Sequence, residues 1–268
     1  MKLAPILSAG LMLMVAACTG LDPHPKGDSY DASVKEADEA RQAGNFDAAL
    51  PLYGRALQAD PSGTQAKLGL GQTYLSIGAY SEAAAQFRDV LTRRDNNLTA
   101  RRGLASALIG MGQPSLAEEE LTTLLQSDAN DYRALNILGV ALDMQGRHAE
   151  AQANYRRAME LAPSYIPTRS NFGLSLAITG PPQEAVAQLA PIATSLGSDA
   201  RVRQNLAFAY VMAGSFENAL QVSRRDLDEK SAQRQLSYYM QLRALPVEQR
   251  SAEIRRNPNF MPQSGPGG

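Results

Sequence analysis

Small and large apolar residues recur along this chain on one fixed interval. Gly44, Gly78, Gly112, Gly146, Gly180 and Gly214 stand 34 residues apart, and Ala49, Ala83, Ala117, Ala151, Ala185 and Ala219 keep the same interval five positions later. A third row carries Ala37, Gly71, Ala105, Gly139, Gly173 and Ala207, with large residues just ahead of it at Leu70, Leu104, Leu138, Phe172 and Leu206. Small beside large at helical spacing predicts two antiparallel helices per period. Gly or Ala lets the helix backbones approach, and Leu, Tyr or Phe fills the space on either side. The ladder glycine falls where the first helix ends, in the left-handed conformation that glycine adopts at least cost. The pattern predicts helix pairs at about 31–43 and 47–59, 65–77 and 81–93, 99–111 and 115–127, continuing to about residue 227. Prolines fit this plan: Pro61 and Pro163 follow helices, while Pro114, Pro167 and Pro182 stand where helices begin.

The two ends of the chain read differently. Lys2 and the apolar stretch Leu3 to Ala17 form a signal-peptide layout that is too short to cross a bilayer as a stable helix. It ends in Val15-Ala16-Ala17-Cys18, which is similar to the lipobox of bacterial lipoproteins. That resemblance implies cleavage after residue 17 and covalent lipid on Cys18, the sole cysteine. Thr19, rather than Asp, in the second mature position implies the outer membrane. Residues 18–29, rich in Gly, Pro and polar side chains, are expected to be a flexible tether, with His24 a solvated linker residue. At the other end, Lys230 to Leu245 reads as a capping helix with Leu236, Tyr239, Met240 and Leu242 available for packing. Residues 246–268 read as a flexible tail.

Composition narrows the possibilities. A net charge of −1 with pI near 6.2 provides no basic surface for nucleic acid. The repeat accounts for every group that could suggest catalytic chemistry. Gly69-Leu70-Gly71 lacks the preceding strand of a phosphate loop, and Gly71 is already required for helix packing. Glu118 to Glu120 begin a second helix, where negative charge is favourable. His148 lies in a turn that accepts many polar residues. There is no nucleophile motif and no metal-ligand spacing. The sequence thus predicts no enzyme, no cofactor beyond the lipid on Cys18, and no small-molecule substrate.

The unit Ala134 to Pro163, with Leu138-Gly139, Leu142, Gly146, Ala151, Tyr155, Ala158 and Pro163, closely resembles the tetratricopeptide repeat consensus. Val202 to Leu220 and Lys67 to Phe87 resemble it as well, whereas the first unit departs by carrying Glu36 in place of an apolar residue. The resemblance implies an all-α protein: a right-handed superhelical solenoid of about six helix-turn-helix repeats over residues 30–229, with the capping helix after it. It further implies a concave groove lined by the first helices that binds peptide segments of partner proteins. Asn171 and Asn205 match the position at which that family often bonds a peptide backbone. Arg133, Asn136, Arg201, Gln204 and Phe208 share the same faces as candidate groove residues.

The run Arg201 to Leu245, with "RRDL" leading into a Tyr-rich helix, resembles the TadD lipoproteins of the Flp/Tad (tight adherence) pilus assembly system. That resemblance implies a non-enzymatic pilus assembly factor, acting as a pilotin for secretin assembly or localisation. Its partner would be the secretin or another pilus-assembly protein, and the lipid would hold it to the membrane's periplasmic face. Two alternatives stay open: a scaffold for another envelope machine, such as outer-membrane protein insertion or polysaccharide export, and a regulatory subunit of a periplasmic enzyme.

Overall fold

A computed structural model describes residues 26–195 and 197–257, which form fourteen helices and no strand. Six antiparallel pairs come first: α1 (Lys26–Gln42) with α2 (Phe46–Ala59), α3 (Thr64–Ser76) with α4 (Tyr80–Arg93), and α5 (Leu98–Gly110) with α6 (Pro114–Ser127). The remaining pairs are α7 (Tyr132–Met144) with α8 (His148–Leu161), α9 (Ile166–Thr179) with α10 (Pro182–Ala193), and α11 (Ala200–Met212) with α12 (Phe216–Ser223). Two further helices follow, α13 (Glu229–Ala244) and α14 (Val247–Arg256). Each helix packs on the next, and successive odd-numbered helices also touch one another, so the odd helices form the inner layer of a stacked array.

The glycine ladder makes the turns. All six ladder glycines have φ between +71° and +81°. At Gly112 the amide bonds back to the Ile109 carbonyl while the next amide, Gln113, reaches the Leu108 carbonyl, each at 2.9 Å. These bonds satisfy carbonyls that the helix end leaves open. Several helices start on side-chain caps: Asn45, Asn97 and Asp131 each accept the amide three residues on.

The small row is where the second helix of each unit presses its largest side chain. Tyr53, Phe87, Leu121, Tyr155 and Leu189 are fully buried at the repeat interval. A Cβ on Gly139 would lie 2.4 Å from the Tyr155 ring, and one on Gly173 would lie 2.5 Å from Leu189. Each such side chain contributes about 1.5–3 kcal/mol through burial. The sixth unit has Ser223 at this position, and α12 ends there after 8 residues. With no large residue to hold a longer second helix, α13 moves in: Ser223 Oγ donates to Gln235 Oε1 at 2.6 Å, and Phe208 stacks edge-on against Tyr239 at 5.3 Å.

Two boundaries differ from the sequence reading. Helix α1 starts at Lys26, so it takes in residues 26–29 of the expected tether. The expected tail from residue 246 instead opens with α14, in which Arg250, Ser251 and Ile254 are buried. Pro246 starts that helix rather than ending structure, since proline fits a helix beginning. The signal peptide, Cys18 and Thr19, His24, and residues 258–268 lie outside the described residues.

The turn into α13 holds an ion pair whose contribution acid removes. Arg224 Nε donates to Glu229 at 2.7 Å and pulls that carboxyl down to about 2. The folded value lies below the ordinary one, so the pair's contribution is fully present above about pH 4.5 and is lost as pH falls through about 2. Carboxyl-carbon NMR titration of Glu229 should show a midpoint near the lower value, whereas one at the ordinary glutamate position would mean the pair is not held.

Candidate functional site

The inner layer is most enclosed at α9 and α7. In α9 every residue from Ser170 to Ile178 is buried. The three asparagines expected to face a peptide are sealed between helices instead, with Asn136 1%, Asn171 3% and Asn205 3% exposed. Asn171 Nδ2 donates to Asn136 Oδ1 at 3.0 Å, and Asn205 Nδ2 donates to Ser170 Oγ at 3.2 Å. Both bonds span 35 positions, one more than the repeat, and so stitch each inner helix to the next. Asn136 keeps one buried donor, Nδ2, with no partner.

The other candidates spread apart. Arg133 lies over the rings of Tyr132 and Tyr165, at 5.1 and 6.0 Å, and these rings meet edge-on at 5.1 Å. Arg201 is exposed and Gln204 half-buried. Phe208 is fully buried beneath α13 and belongs to the core rather than the groove lining. The cause is the shortened α12, which lets the capping helix lie over that face.

A constellation unseen in the sequence sits where α14 crosses the carboxyl ends of α7 and α9. Asp143, on the inner face of α7, receives Ser175 Oγ–H at 2.9 Å on Oδ1 and Tyr155 O–H at 3.0 Å on Oδ2. Its Oδ1 also lies 2.7 Å from His148 Nδ1, and His148 Nε2 lies 2.7 Å from Ser251 Oγ on α14. The carboxylate at Nδ1 places the imidazole proton there, leaving Nε2 to accept the Ser251 hydroxyl. Burial pushes the Asp143 carboxyl up from its ordinary range, and its three donors act against that shift. Burial likewise pushes the Tyr155 hydroxyl well above its usual value.

Serine, histidine and aspartate in this order are the groups of a hydrolytic triad, but the surroundings differ. Ser251 is 3% exposed, Arg255 also donates to its Oγ, and the adjoining cavity holds about 30 Å³, room for water rather than a substrate. The arrangement ties four helices together, α7, α8, α9 and α14. The sequence signal for it was a carboxylate, Asp143, within the apolar face "GVALDM"; the farthest contact in the network, His148 to Ser251, spans 103 positions.

Arg250 completes the junction. Its guanidinium donates to the carbonyls of Leu242 at 3.1 Å, Ile178 at 2.6 Å and Leu245 at 2.9 Å. It thereby serves the carboxyl ends of α9 and α13, where helix dipoles favour a cation. Burial lowers its pKa. Among the described residues no cluster of three His, Cys, Asp or Glu could hold a metal ion, and no helix is long and apolar enough to cross a membrane.

Helix pairs repeating on a 34-residue interval, with small residues at their crossings and glycine at their turns, define the class of this protein. The chain belongs to the tetratricopeptide-repeat family, whose Tetratricopeptide repeat description matches residues 34–97 and 102–166. Among individual relatives, it is 31% identical over 180 residues to the uncharacterized protein y4yS of Sinorhizobium fredii, covering 66% of this chain and 89% of that one. Among solved structures, it is similar in fold to PilW, described as a widely conserved type IV pilus biogenesis factor. The TM-score is 0.64 at 17% identity, covering 73% of this chain and 91% of PilW. PilF of Pseudomonas aeruginosa is also similar, with TM-score 0.60 at 18% identity, covering 74% of this chain and 90% of that one.

Proposed function

We propose that this protein is a non-enzymatic adaptor of a bacterial envelope, anchored by lipid on Cys18, that holds a segment of a pilus-assembly protein against its inner helical face. The carrying observation is a pairing within one chain: a lipobox ending at Cys18, and a stacked array similar in fold to PilW. The resemblance of Arg201 to Leu245 to TadD supports the tight-adherence pilus as the machine and the secretin as the segment's owner. Thr19 supports the outer membrane as the place, with the repeats on its periplasmic face. The lipid fixes where the array sits, and stable anchoring by several acyl chains follows from about 0.8 kcal/mol for each buried methylene.

Deleting the protein should abolish surface pili and deplete secretin multimers from the outer membrane. Cys18→Ser should release the protein from the outer-membrane fraction and reproduce the deletion phenotype. Unchanged multimers in the deletion strain would remove the pilotin mechanism. Retention of Cys18→Ser in the outer membrane would remove the lipid anchor.

A further inference from the structure

We infer that the inner face beneath α14 is a docking groove for a short amphipathic helix of a partner protein, and that α14 is the chain's own occupant of that groove. The partner helix would carry arginine, a small hydroxyl residue and a large aliphatic residue at i, i+1 and i+4, the pattern set by Arg250, Ser251 and Ile254. The inference rests on the reading of the inner face as the binding surface, and adds its location and the chemistry of its ligand.

Four observations support it. First, α14 lies on the inner array, where a repeat protein of this kind receives a peptide helix: Arg250 reaches the end of α9, Ser251 meets His148, and Ile254 shares a cavity with Leu174, Ile178 and Met144. Second, α14 is attached mainly by polar groups. Only one of its apolar side chains, Ile254, is fully buried; Val247 is half-buried. Its buried cation meets carbonyls and no carboxylate, so desolvation offsets much of the attraction. Third, the fit is incomplete. The cavity of about 30 Å³ beside Ile254 is space that a longer aliphatic side chain from a partner would fill. Fourth, the chain links α14 to α13 through Leu245 and Pro246, so lifting α14 leaves both helices of every repeat in place.

Lifting α14 uncovers a complete recognition surface. Leu174 and Ile178 stand one turn apart on α9 as an apolar floor. The open carbonyl of Ile178 at the end of α9 accepts a guanidinium, and His148, fixed by Asp143, receives a hydroxyl. Asn171, already bonded to Asn136, lines the same cavity.

The test uses the full-length chain and a fluorescein-labelled peptide of residues 246–257, PVEQRSAEIRRN, followed by fluorescence anisotropy. Because self-occupancy lowers apparent affinity, the peptide should bind the Arg250→Ala, Ile254→Ser chain roughly tenfold or more tightly than the unsubstituted chain. A peptide bearing the same two substitutions should bind neither, and one with Met at the Ile254 position should bind more tightly than the parent. Equal binding to both chains, or binding to neither, overturns the inference. A second measurement does not depend on the variant folding. Excess peptide added to the unsubstituted chain should speed amide hydrogen exchange in 247–256 alone, and unchanged exchange at saturating peptide also overturns it. Either failure leaves the pilus phenotype of a deletion strain standing, whereas normal pili in that strain would remove the assembly role without touching the peptide result.

Discussion

Asp143→Ala is expected to lower the unfolding free energy by about 3–5 kcal/mol, because it leaves buried polar groups without partners. The Tyr155 hydroxyl, the Ser175 hydroxyl and the His148 ring nitrogen all meet this one carboxylate. Urea unfolding followed by circular dichroism checks the figure. Asp143→Asn, which keeps one acceptor oxygen, should fall between the alanine variant and the parent. A loss below about 1 kcal/mol for the alanine variant would show that the network is slack rather than holding.

The second large effect concerns close approach rather than polarity. Gly139→Val should cost about 3 kcal/mol, since a Cβ there would stand 2.4 Å from the Tyr155 ring and the valine methyls intrude further. The ring has nowhere to go: it is fully buried and its hydroxyl is held by Asp143. Gly44→Ala is the comparison. Nothing lies within 4 Å of its Cβ position, so only the positive φ of +74° opposes the change, at about 1–2 kcal/mol. The two variants, measured by the same denaturant series, separate crowding from backbone conformation. Equal losses would contradict the division of labour between the two glycine rows.

The repeat was legible because each of its rows does one physical job at a fixed distance along the chain. Predicted bounds for α2 to α6 lie within one residue of those observed, because the glycine turns recur on a fixed interval and set where each pair begins and ends. Helix α14 was not legible. Its buried residues, Arg250, Ser251 and Ile254, make no apolar stripe, and its partners lie on α8, α9 and α13. The asparagines stand on the inner helices, but their burial is decided by the neighbouring inner helix 35 positions away, which a single repeat does not display. Phe208 was misplaced for a related reason. Its cover depends on where α12 stops, and the stop depends on one serine at a position otherwise held by a large side chain.

The two ends of the array are built unequally, and this has a mechanical consequence. The first pair and the start of α3 share a small core of their own, from Val34 to Leu70, separate from the continuous core that runs from Ala83 to Ile254. At the far end, the continuous core carries on through Leu206 and Phe208 of α11 to Tyr239 and Leu242 of α13. If the chain is held at Cys18 and pulled through a partner on its inner face, the load enters at the softer end. Helices α1 and α2 would peel away first, lengthening the leash while the residues that grip the partner keep their shape.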